Sequence, residues 1–400
     1  MFAVIVEAVT TLFTVAGLGY LMLALWSARA FLRRRPQPVA DFAPGISILK
    51  PVKGLDPSMY EAFASHCRQS YSGPYEILFG VSSLDDPAVA AIRQLEAEFP
   101  DRSIRLILCP EKLGANGKVS NLAQMFPHAA CDYIVINDSD IRVGAHYLAR
   151  TVGLFGNTSG QKPVGLVTAP YRGRTHGTLG SKLEALGIST DFIPGVFTAR
   201  LLDGGIRFGL GSTLACSRAA LDAIGGLVPL ADYLADDYQL GQRIAAAGFA
   251  VELSDEVVET SVPAYRFRQF LDHQLRWSRA VRDSRRWGYM GLAFSYGLAW
   301  AFLNLIASGL SLPSIALFSL TFLARIAVAL NIGAGMLDDR QVLRDLWLLL
   351  PRDLIALFVW AWSYAAHTVI WRGEEFQLRN GKLERLAQRE AGDHSLNAAP

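Results

Sequence analysis

The stretch Asp132-Tyr-Ile-Val-Ile-Asn-Asp-Ser-Asp-Ile-Arg-Val143 decides the fold of this chain. Its residues 133–136 are largely apolar and β-branched on both faces, which is typical of a strand buried in a parallel sheet. Asp138 and Asp140 follow the end of that strand. Open α/β sheets bind ligands at the carboxyl ends of their strands, and hard divalent cations prefer carboxylate oxygen. The stretch therefore predicts either a metal site that also carries substrate phosphates or a turn that caps the next helix.

Segments on both sides of this stretch alternate between strand and helix patterns. Apolar residues at helical spacing predict a helix over 88–99, with Asp86 as its N-cap and Pro87 in its first turn. The predicted strands are 46–49, 75–81, 103–109, 133–136 and 250–253. Because strands alternate with helices, we expect an α/β fold with a parallel, doubly wound sheet.

Three further segments carry groups or backbone suited to a ligand. Lys118 lies in a loop after the third strand that lacks the spacing of a Walker A motif, so it either contacts phosphate or is a solvated loop lysine. Residues 194–213 are rich in glycine, which allows close backbone approach to a ligand or a bent pair of strands. Asp236 and Asp237 precede a helical run over 240–248. One carboxylate is enough to cap a helix, so the second is available for chemistry.

Composition excludes several classes of protein. The 400 residues include 38 Lys and Arg against 36 Asp and Glu, and a net charge of +2 gives no reason to expect a nucleic-acid partner. The four cysteines are scattered, so we expect reduced thiols in a cytosolic domain, not a zinc site or a disulfide frame. The mean hydropathy is +0.25, and the apolar excess is concentrated at the two ends.

The N-terminal end is predicted to be a transmembrane anchor within residues 1–30. Residues 8–26 form an uncharged apolar run of 19 residues, long enough to cross a bilayer. Arginines at 29 and 33–35 follow it, and the positive-inside rule then puts the next domain in the cytoplasm. A cleaved signal peptide is the alternative, but its basic residues would come before the apolar run.

The C-terminal part is predicted to return to the membrane. Residues 266–290 are basic and amphipathic, which favours helices on anionic lipid headgroups, with a solvated domain face as the alternative. Transmembrane helices are expected within 291–371, where apolar segments cover 291–310, 313–330 and 346–371. Three crossings would leave the tail, 372–400, outside, whereas its basic residues favour the inside. A re-entrant or interfacial segment within 338–353 would resolve this conflict. Residues 386–400 are expected to be disordered.

Taken in order, these elements resemble the inverting glycosyltransferases with the GT-A fold and, more closely, the ceramide glucosyltransferase family, glycosyltransferase family 21. The resemblance covers nearly the whole chain. The blocks that carry it are Lys50-Pro-Val-Lys-Gly-Leu-Asp-Pro57, Asp85-Asp-Pro-Ala88, Lys118 with Asn121-Leu122, Asp138-Ser139 with Ile141-Arg-Val143, Ala235-Asp-Asp-Tyr238 and His273-Gln-Leu-Arg-Trp277. The resemblance implies a GT-A type doubly wound mixed sheet in a domain over 36–265.

The resemblance also implies roles for individual residues. Asp237 is expected to be the general base, and Asp138 with Asp140 is expected to hold a divalent cation, Mg²⁺ or Mn²⁺. The residues expected to bind the donor are Lys50, Asp86, Lys118 and Asp138. Those expected to meet the acceptor or the diphosphate are His273, Gln274, Arg276 and Trp277. Arg276 and Trp277 match the end of a Gln/Arg-x-x-Arg-Trp motif, and His273 stands where Gln or Arg is usual.

The function implied is inverting transfer of a sugar from a UDP-sugar to a hydroxyl group of a membrane lipid. Residues 276–284 resemble the bacterial branch associated with hopanoid biosynthesis, which implies N-acetylglucosamine transfer to a hopanoid polyol at the bacterial inner membrane. Glucose transfer to ceramide is the alternative within the family. A non-catalytic membrane scaffold with a nucleotide-binding fold is the alternative of another class, although all three acidic clusters are present. A processive polysaccharide synthase would usually have more transmembrane helices.

Overall fold

The computed structural model describes residues 1–39, 41–157, 162–371 and 374–385. The strands are β1 (Ile46–Pro51), β2 (Tyr75–Val81), β3 (Ser103–Leu108), β4 (Tyr133–Ile136), β5 (Ile141–Arg142), β6 (Val164–Thr168), β7 (Tyr171–Arg174), β8 (Leu214–Ser217), β9 (Ala250–Leu253), β10 (Val258–Ser261), β11 (Thr368–Trp371), β12 (Glu374–Arg379) and β13 (Lys382–Arg385). The α-helices are α1 (Phe2–Arg33), α2 (Met59–Cys67), α3 (Ala88–Glu98), α4 (Gly117–Met125), α5 (Tyr147–Val152), α6 (Leu179–Gly187), α7 (Ile193–Leu202), α8 (Arg218–Ala223), α9 (Asp236–Ala246), α10 (Phe267–Ser284), α11 (Arg286–Gly291), α12 (Gly297–Ala307), α13 (Leu312–Val328), α14 (Gln341–Asp345) and α15 (Leu349–Trp362).

A seven-stranded mixed sheet forms the centre of the domain, in the order β3-β2-β1-β4-β8-β6-β9. β8 pairs antiparallel with β4 and β6, and the other neighbours pair in parallel. From β1 the chain fills one edge with β2 and β3 and then crosses to the other side with β4. The carboxyl ends of β1 and β4 therefore meet at the topological switch point, where such sheets bind ligands. The predicted mixed α/β sheet is confirmed.

The core strands are buried on both faces because nearly every side chain in them is apolar. Ile48 of β1 lies beside Ile77 of β2 and Val135 of β4, and all three are fully buried. The predicted strands at 75–81, 133–136 and 250–253 are confirmed to the residue. β1 continues two residues beyond the prediction, so Lys50 belongs to the sheet.

A second, small sheet of β5, β10 and β7 covers the carboxyl end of β4. β5 begins one residue after Asp140, so the chain turns sharply through 137–140 between the two sheets. β10 pairs antiparallel with β5 and in parallel with β7. We call residues 137–140 the acidic turn. The pairing of the small sheet places β10 beside this turn.

The N-terminal anchor is a long helix that also packs on the domain. Two helices, Phe2–Arg33 and Leu312–Met336, are long and apolar enough to cross a membrane, and the bent pair Arg286–Ser295 with Gly297–Ala307 adds a third if it forms one span. Gly17 of α1 lies so close to Gly297 of α12 that a Cβ on Gly17 would sit 2.2 Å from the Gly297 Cα atom. Such close approach through small residues is typical of membrane helix pairs.

We expected a transmembrane helix within the apolar segment 346–371, but this segment is not among the candidate spans of the described residues. It contains α15, which has 14 residues, and then the strand β11. Arg352 and Asp353 of α15 are both buried, and Asp353 forms an ion pair of 2.8 Å with Arg325 of α13. Arg325 is thus buried against a charged partner, not exposed to lipid. The stretch expected to be disordered, 386–400, lies outside the described residues.

Two arginines of the basic helix α10 bind backbone carbonyls of the C-terminal segment. Arg279 donates to the carbonyl of Thr368, and the buried Arg282 donates to the carbonyls of Ser363 and Ala366. These bonds attach the C-terminal segment to α10. Exposed apolar groups occur farther along, above all Trp287, which is 78% exposed. The position of 266–290 on lipid headgroups stays a prediction.

Candidate active site

The site lies at the switch point between β1 and β4. Lys50, fully buried in β1, donates from Nζ to the backbone carbonyl of Asp138 across a distance of 3.1 Å. Burial lowers the pKa of Lys50 to about 7, although the carboxylates of Asp140 and Asp138 oppose this shift. Lys50 therefore fixes the acidic turn from beneath, and a nearby negative charge would favour its protonated form.

Lys118 links two of the predicted acidic clusters. Its Nζ lies 2.8 Å from Oδ1 of Asp138 and 3.3 Å from Oδ2 of Asp236. Burial lowers the pKa of Lys118, but these carboxylates outweigh it and raise the pKa well above its ordinary value. Asn116 positions the lysine because its side chain caps α4, accepting from the Val119 N–H. The structure thus excludes the solvated-loop interpretation of Lys118.

Asp237 and Asp138 border the same space beside Gly211. A Cβ atom on Gly211 would lie 3.2 Å from Oδ2 of Asp237 and 3.8 Å from Oδ2 of Asp138. The glycine-rich segment noted in the sequence thus leaves room between two carboxylates. Burial raises the pKa of Asp237 to about 6, and the negative charge of Asp236 adds to this shift while Lys118 opposes it.

Asp236 does not cap α9 through its side chain, contrary to one interpretation of the Asp236-Asp237 pair. Ala235 is the N-cap residue, and no side-chain capping bond is formed there. Asp236 instead pairs with Lys118 and accepts from Asn116 Nδ2 at 3.4 Å. Its carboxylate is committed to this lysine, whereas Asp237 accepts from the backbone N–H of Tyr238.

Asp140 lies deeper, against the small sheet. Thr260 of β10 donates to its carboxylate, and burial followed by the charge of Asp138 raises the pKa of Asp140 to about 6. A further carboxylate, Asp56, accepts from Ser139 Oγ at 2.6 Å within the same turn. We did not single out Asp56 from the sequence, although its position in the Lys50–Pro57 block was the available signal.

Asp86 organises the loop that follows β2. Both of its carboxylate oxygens lie 3.0 Å from the backbone N–H of Gly54, and Oδ1 also accepts from the N–H of Ala88. The second bond lies at the start of α3, but Pro87 is the N-cap residue there, so the predicted N-cap at Asp86 is one residue too early. Gly54 has a φ of 72°, in the left-handed region that favours glycine. Asp86 therefore holds the loop after β1 against the end of β2.

The motif His273–Trp277 on α10 is held in place by Glu184, a residue that we did not single out from the sequence. Glu184 of α6, which is 3% exposed, accepts from His273 Nδ1 at 3.1 Å and from Gln274 Nε2 at 2.8 Å. Burial raises the pKa of Glu184, but His273 and then Arg352 outweigh it and hold that pKa below its ordinary value. A lone glutamate within a helix gave no signal of this contact.

Aromatic rings connect α10 with the acidic turn. The ring centroids of Trp277 and Phe192 are 5.9 Å apart, and those of Phe192 and Tyr171 are 5.7 Å apart. Burial raises the pKa of Tyr171 well above its ordinary value, and the charges of Asp237 and Glu184 add to this effect. Tyr171 thus lies near both the proposed base and the α10 motif. Arg276 is half-buried on the same helix, and its charge opposes the burial and the Glu184 charge that raise the pKa of Tyr265 to about 12.

The acidic turn could supply only one or two ligands to a cation, so phosphate oxygens and water would supply the others. Among the described residues, no group of three or more His, Cys, Asp or Glu side chains could hold a metal ion. Asp138 uses Oδ1 for Lys118, and its Oδ2 borders the open space beside Gly211. One or two carboxylates completed by phosphate oxygens and water suit Mg²⁺, and carboxylate and water also suit Mn²⁺. Asp138 and Asp140 would hold such an ion.

The mixed sheet with its carboxylates at the switch point is similar to the GT-A fold of a solved glycosyltransferase. The profile of glycosyl transferase family 21 matches residues 9–384, and the chain belongs to this family. It is a hexosyltransferase. The ceramide glucosyltransferase family suggested by the sequence motifs is thereby confirmed, whereas the roles of the individual site residues stay predictions.

Known proteins agree with this assignment. Ceramide glucosyltransferase 3 of Caenorhabditis elegans is 26% identical over 347 residues, covering 84% of this chain and 73% of that protein. Ceramide glucosyltransferase 1 of the same organism is 22% identical, covering 84% and 72%. The structure of the mannosyltransferase PcManGT from Pyrobaculum calidifontis, in complex with GDP-Man and Mn²⁺, has a TM-score of 0.56 at 20% identity and covers 88% of this chain and 98% of that one. That likeness supports the fold alone.

Proposed function

We propose that this enzyme transfers a sugar, with inversion, from a UDP-sugar to a hydroxyl group of a membrane lipid. The observation that carries the proposal is that Asp237 and Asp138 both lie beside Gly211, with Oδ2 of each 3.2 and 3.8 Å from a Cβ atom placed on that glycine. Inverting transfer needs a base on the acceptor side and positive charge on the leaving-group side. Lys118 supplies that charge 2.8 Å from Asp138.

The donor would lie at the carboxyl ends of β1 and β4. Asp86 holds the first loop there, and Lys50 and Lys118 supply cationic charge below and beside the acidic turn. A divalent cation on Asp138 and Asp140 would neutralise the diphosphate as it leaves; Mn²⁺ accompanies GDP-Man in the fold neighbour. Uridine diphosphate as the nucleotide is part of the proposal.

Asp237 would act on the acceptor. Its carboxylate removes the proton of the acceptor hydroxyl while that oxygen bonds to the anomeric carbon of the sugar. The bond from this carbon to the diphosphate oxygen breaks, and the electron pair leaves with the nucleoside diphosphate. A carboxylate with a pKa of about 6 is a stronger base than an ordinary aspartate and is still ionised at neutral pH.

The acceptor would reach the base past α10. Trp277 and His273 form an aromatic contact, with ring centroids 5.3 Å apart, and buried Glu184 fixes His273. Such a wall suits a lipid headgroup that carries hydroxyl groups next to apolar surface. Candidate membrane spans precede and follow the domain in the chain, which supports a lipid acceptor presented from the bilayer. A bacterial inner membrane with the domain in the cytoplasm remains our proposal for the location.

Two lipids are candidates for the acceptor. The tract 276–284 favours a hopanoid polyol that receives N-acetylglucosamine. The relatives named ceramide glucosyltransferase favour ceramide and UDP-glucose.

Incubation of the purified full chain with paired UDP-sugars and lipids, followed by mass spectrometry of the lipid, tests the function and separates the two acceptors. Asp237→Asn is the control for a contaminating transferase. Donor binding without any lipid product across the panel would favour a scaffold over an enzyme of this substrate class. Retention of anomeric configuration in the product would refute the inverting mechanism.

A further inference from the structure

A second cleft, separate from the space beside Gly211, lies where α13 and its π-helical extension meet the domain. Its volume is about 670 Å³. We call it the arginine cleft, because six basic side chains stand among its lining residues against four acidic ones. The basic residues are Arg142, Arg172, Arg174, Lys182, Arg340 and Arg344, and the acidic residues are Glu259, Asp338, Asp339 and Asp345.

Positive charge exceeds negative charge at the centre of the cleft. Arg142, Arg172 and Arg174 all converge on Glu259, with nitrogen–oxygen distances of 3.8, 3.4 and 3.9 Å. One carboxylate cannot neutralise three guanidinium groups. Arg142 and Arg174 are also about half exposed, at 52% and 45%, so their remaining donors face solvent.

The acidic residues on the opposite wall are largely occupied. Asp339, 2% exposed, accepts from Ser189 Oγ at 2.7 Å, and Asp345 lies 3.5 Å from Lys182. Arg340, by contrast, is 88% exposed. Asp338, 73% exposed, lies 3.5 Å from Arg172 and 3.8 Å from Arg340, so the lining keeps an excess of two basic side chains over acidic ones.

The cleft lies next to the end of a candidate membrane span. Residues 338–345 follow directly after the candidate span Leu312–Met336. Leu343 and Trp347, four residues apart, are 53% and 66% exposed, and Arg340 and Arg344 form an adjacent pair with the same spacing. An apolar stripe with tryptophan beside arginines is typical of a segment at the membrane interface.

The strands that line the cleft also form part of the active site, but on their other face. Neighbouring residues of a strand point to opposite faces, so Glu259 faces the cleft while Thr260 faces Asp140. Arg172 joins the cleft to the end of the span by donating to the carbonyls of Leu337 and Asp338. The cleft and the acidic turn are therefore different sites on one small sheet.

We propose that the arginine cleft binds the phosphate group of an anionic phospholipid and so seats the catalytic domain on the bilayer beside its own span. Guanidinium groups match the geometry of phosphate oxygens, and several of them converge here without enough carboxylate to satisfy them. Basic pockets beside membrane helices recognise lipid headgroups through the same chemistry. We place the bound lipid apart from the acceptor, because the cleft and the acidic turn lie on opposite faces of the small sheet.

Native mass spectrometry of the full chain in neutral detergent tests this proposal, with dioleoylphosphatidylglycerol compared with dioleoylphosphatidylcholine. We expect the anionic lipid to be retained at least about tenfold more tightly by the natural chain. Removing the two half-exposed arginines, in the double variant Arg142→Gln with Arg174→Gln, should weaken that retention by roughly 30-fold, at about fivefold for each basic group near a lipid surface.

The matched control is Arg68→Gln with Arg93→Gln, which removes two exposed, ion-paired arginines that do not line the cleft. This control should keep the lipid, and both double variants should keep their melting temperature and nucleotide binding. Equal loss of lipid in the two variants, or no preference for the anionic lipid in the natural chain, would overturn the proposal. Retention of soluble glycerol 3-phosphate as tightly as the lipid would assign the cleft to a soluble phosphate compound instead.

Discussion

Asp237→Asn is the most informative single substitution, because it should change activity and stability in opposite directions. Asparagine keeps the shape of the side chain and can still accept from the Tyr238 N–H. It cannot take a proton from an acceptor hydroxyl. Loss of a general base typically lowers the rate by about 10²–10⁴-fold, so we expect a fall in turnover of that size. Donor affinity should change little, since Lys118 and Asp138 remain.

The same pKa shift predicts the pH profile. Burial and the charge of Asp236 raise the pKa of Asp237 to about 6. Only the ionised form is a base, so turnover of the natural enzyme should fall as the pH drops through about 6. An ordinary aspartate would keep its activity down to about pH 4.

The shift also fixes the sign of the stability change. Because folding raises the pKa of Asp237, the folded state binds this proton more tightly than the unfolded state. The contribution to folding is favourable below the ordinary pKa and is lost as the pH rises through about 6. At neutral pH the ionised carboxylate therefore costs stability. Asp237→Asn should raise the free energy of unfolding by about 1–2 kcal/mol, less than the full shift implies because the side chain is partly solvated.

The assay combines product formation, donor affinity by calorimetry and thermal melting on the same purified samples. Asp236→Asn is the paired control. It removes a partner of Lys118, so we expect lower stability and altered donor affinity, with turnover within about tenfold of the natural enzyme. Near-normal turnover in Asp237→Asn would refute the assignment of the base. A fall in both melting temperature and activity would mean that the carboxylate is structural.

Three other predictions follow from the site and the helices. Asp138→Ala should abolish transfer and remove the Mg²⁺ or Mn²⁺ dependence of donor binding; unchanged activity in chelator-treated buffer would contradict the metal role. Glu184→Gln should raise KM for the acceptor lipid more than KM for the donor, because it loosens His273; equal changes in both would indicate a general structural defect. A cysteine in place of Arg93 should resist an impermeant thiol reagent in intact cells. A cysteine in place of Leu312, which is 82% exposed and follows the bent pair, should react. The reverse pattern of labelling would mean that the topology is inverted.

The sequence predicted the fold because the core strands carry their signal locally. Residues 133–136 are apolar on both faces, and the sheet buries both faces. The acidic residues were also recognisable, because Asp138 and Asp140 follow a strand end and Asp236-Asp237 exceed what a cap requires. Their order along the chain was enough to predict that they belong to one site.

Contacts that depend on distant packing could not be predicted. The sequence did not indicate that Lys50 would be fully buried under the acidic turn, nor that Glu184 would face His273 across 89 positions of chain. The partners of the α10 arginines could not be predicted for the same reason. A basic, amphipathic pattern is the same whether its guanidinium groups meet lipid phosphate or, as for Arg282, backbone carbonyls of the C-terminal segment.

The C-terminal segment constrains the count of membrane crossings that the sequence left open. β13 joins the catalytic domain through the bond from the Leu383 N–H to the Asp232 carbonyl, and the Leu234 N–H donates to Gly381. Residues 374–385 therefore lie on the same side of the membrane as the domain. The number of crossings between 266 and 374 must then be even. If Leu312–Met336 is one crossing, an odd number of further crossings is needed, and the bent pair of 286–295 and 297–307 is a candidate for one of them.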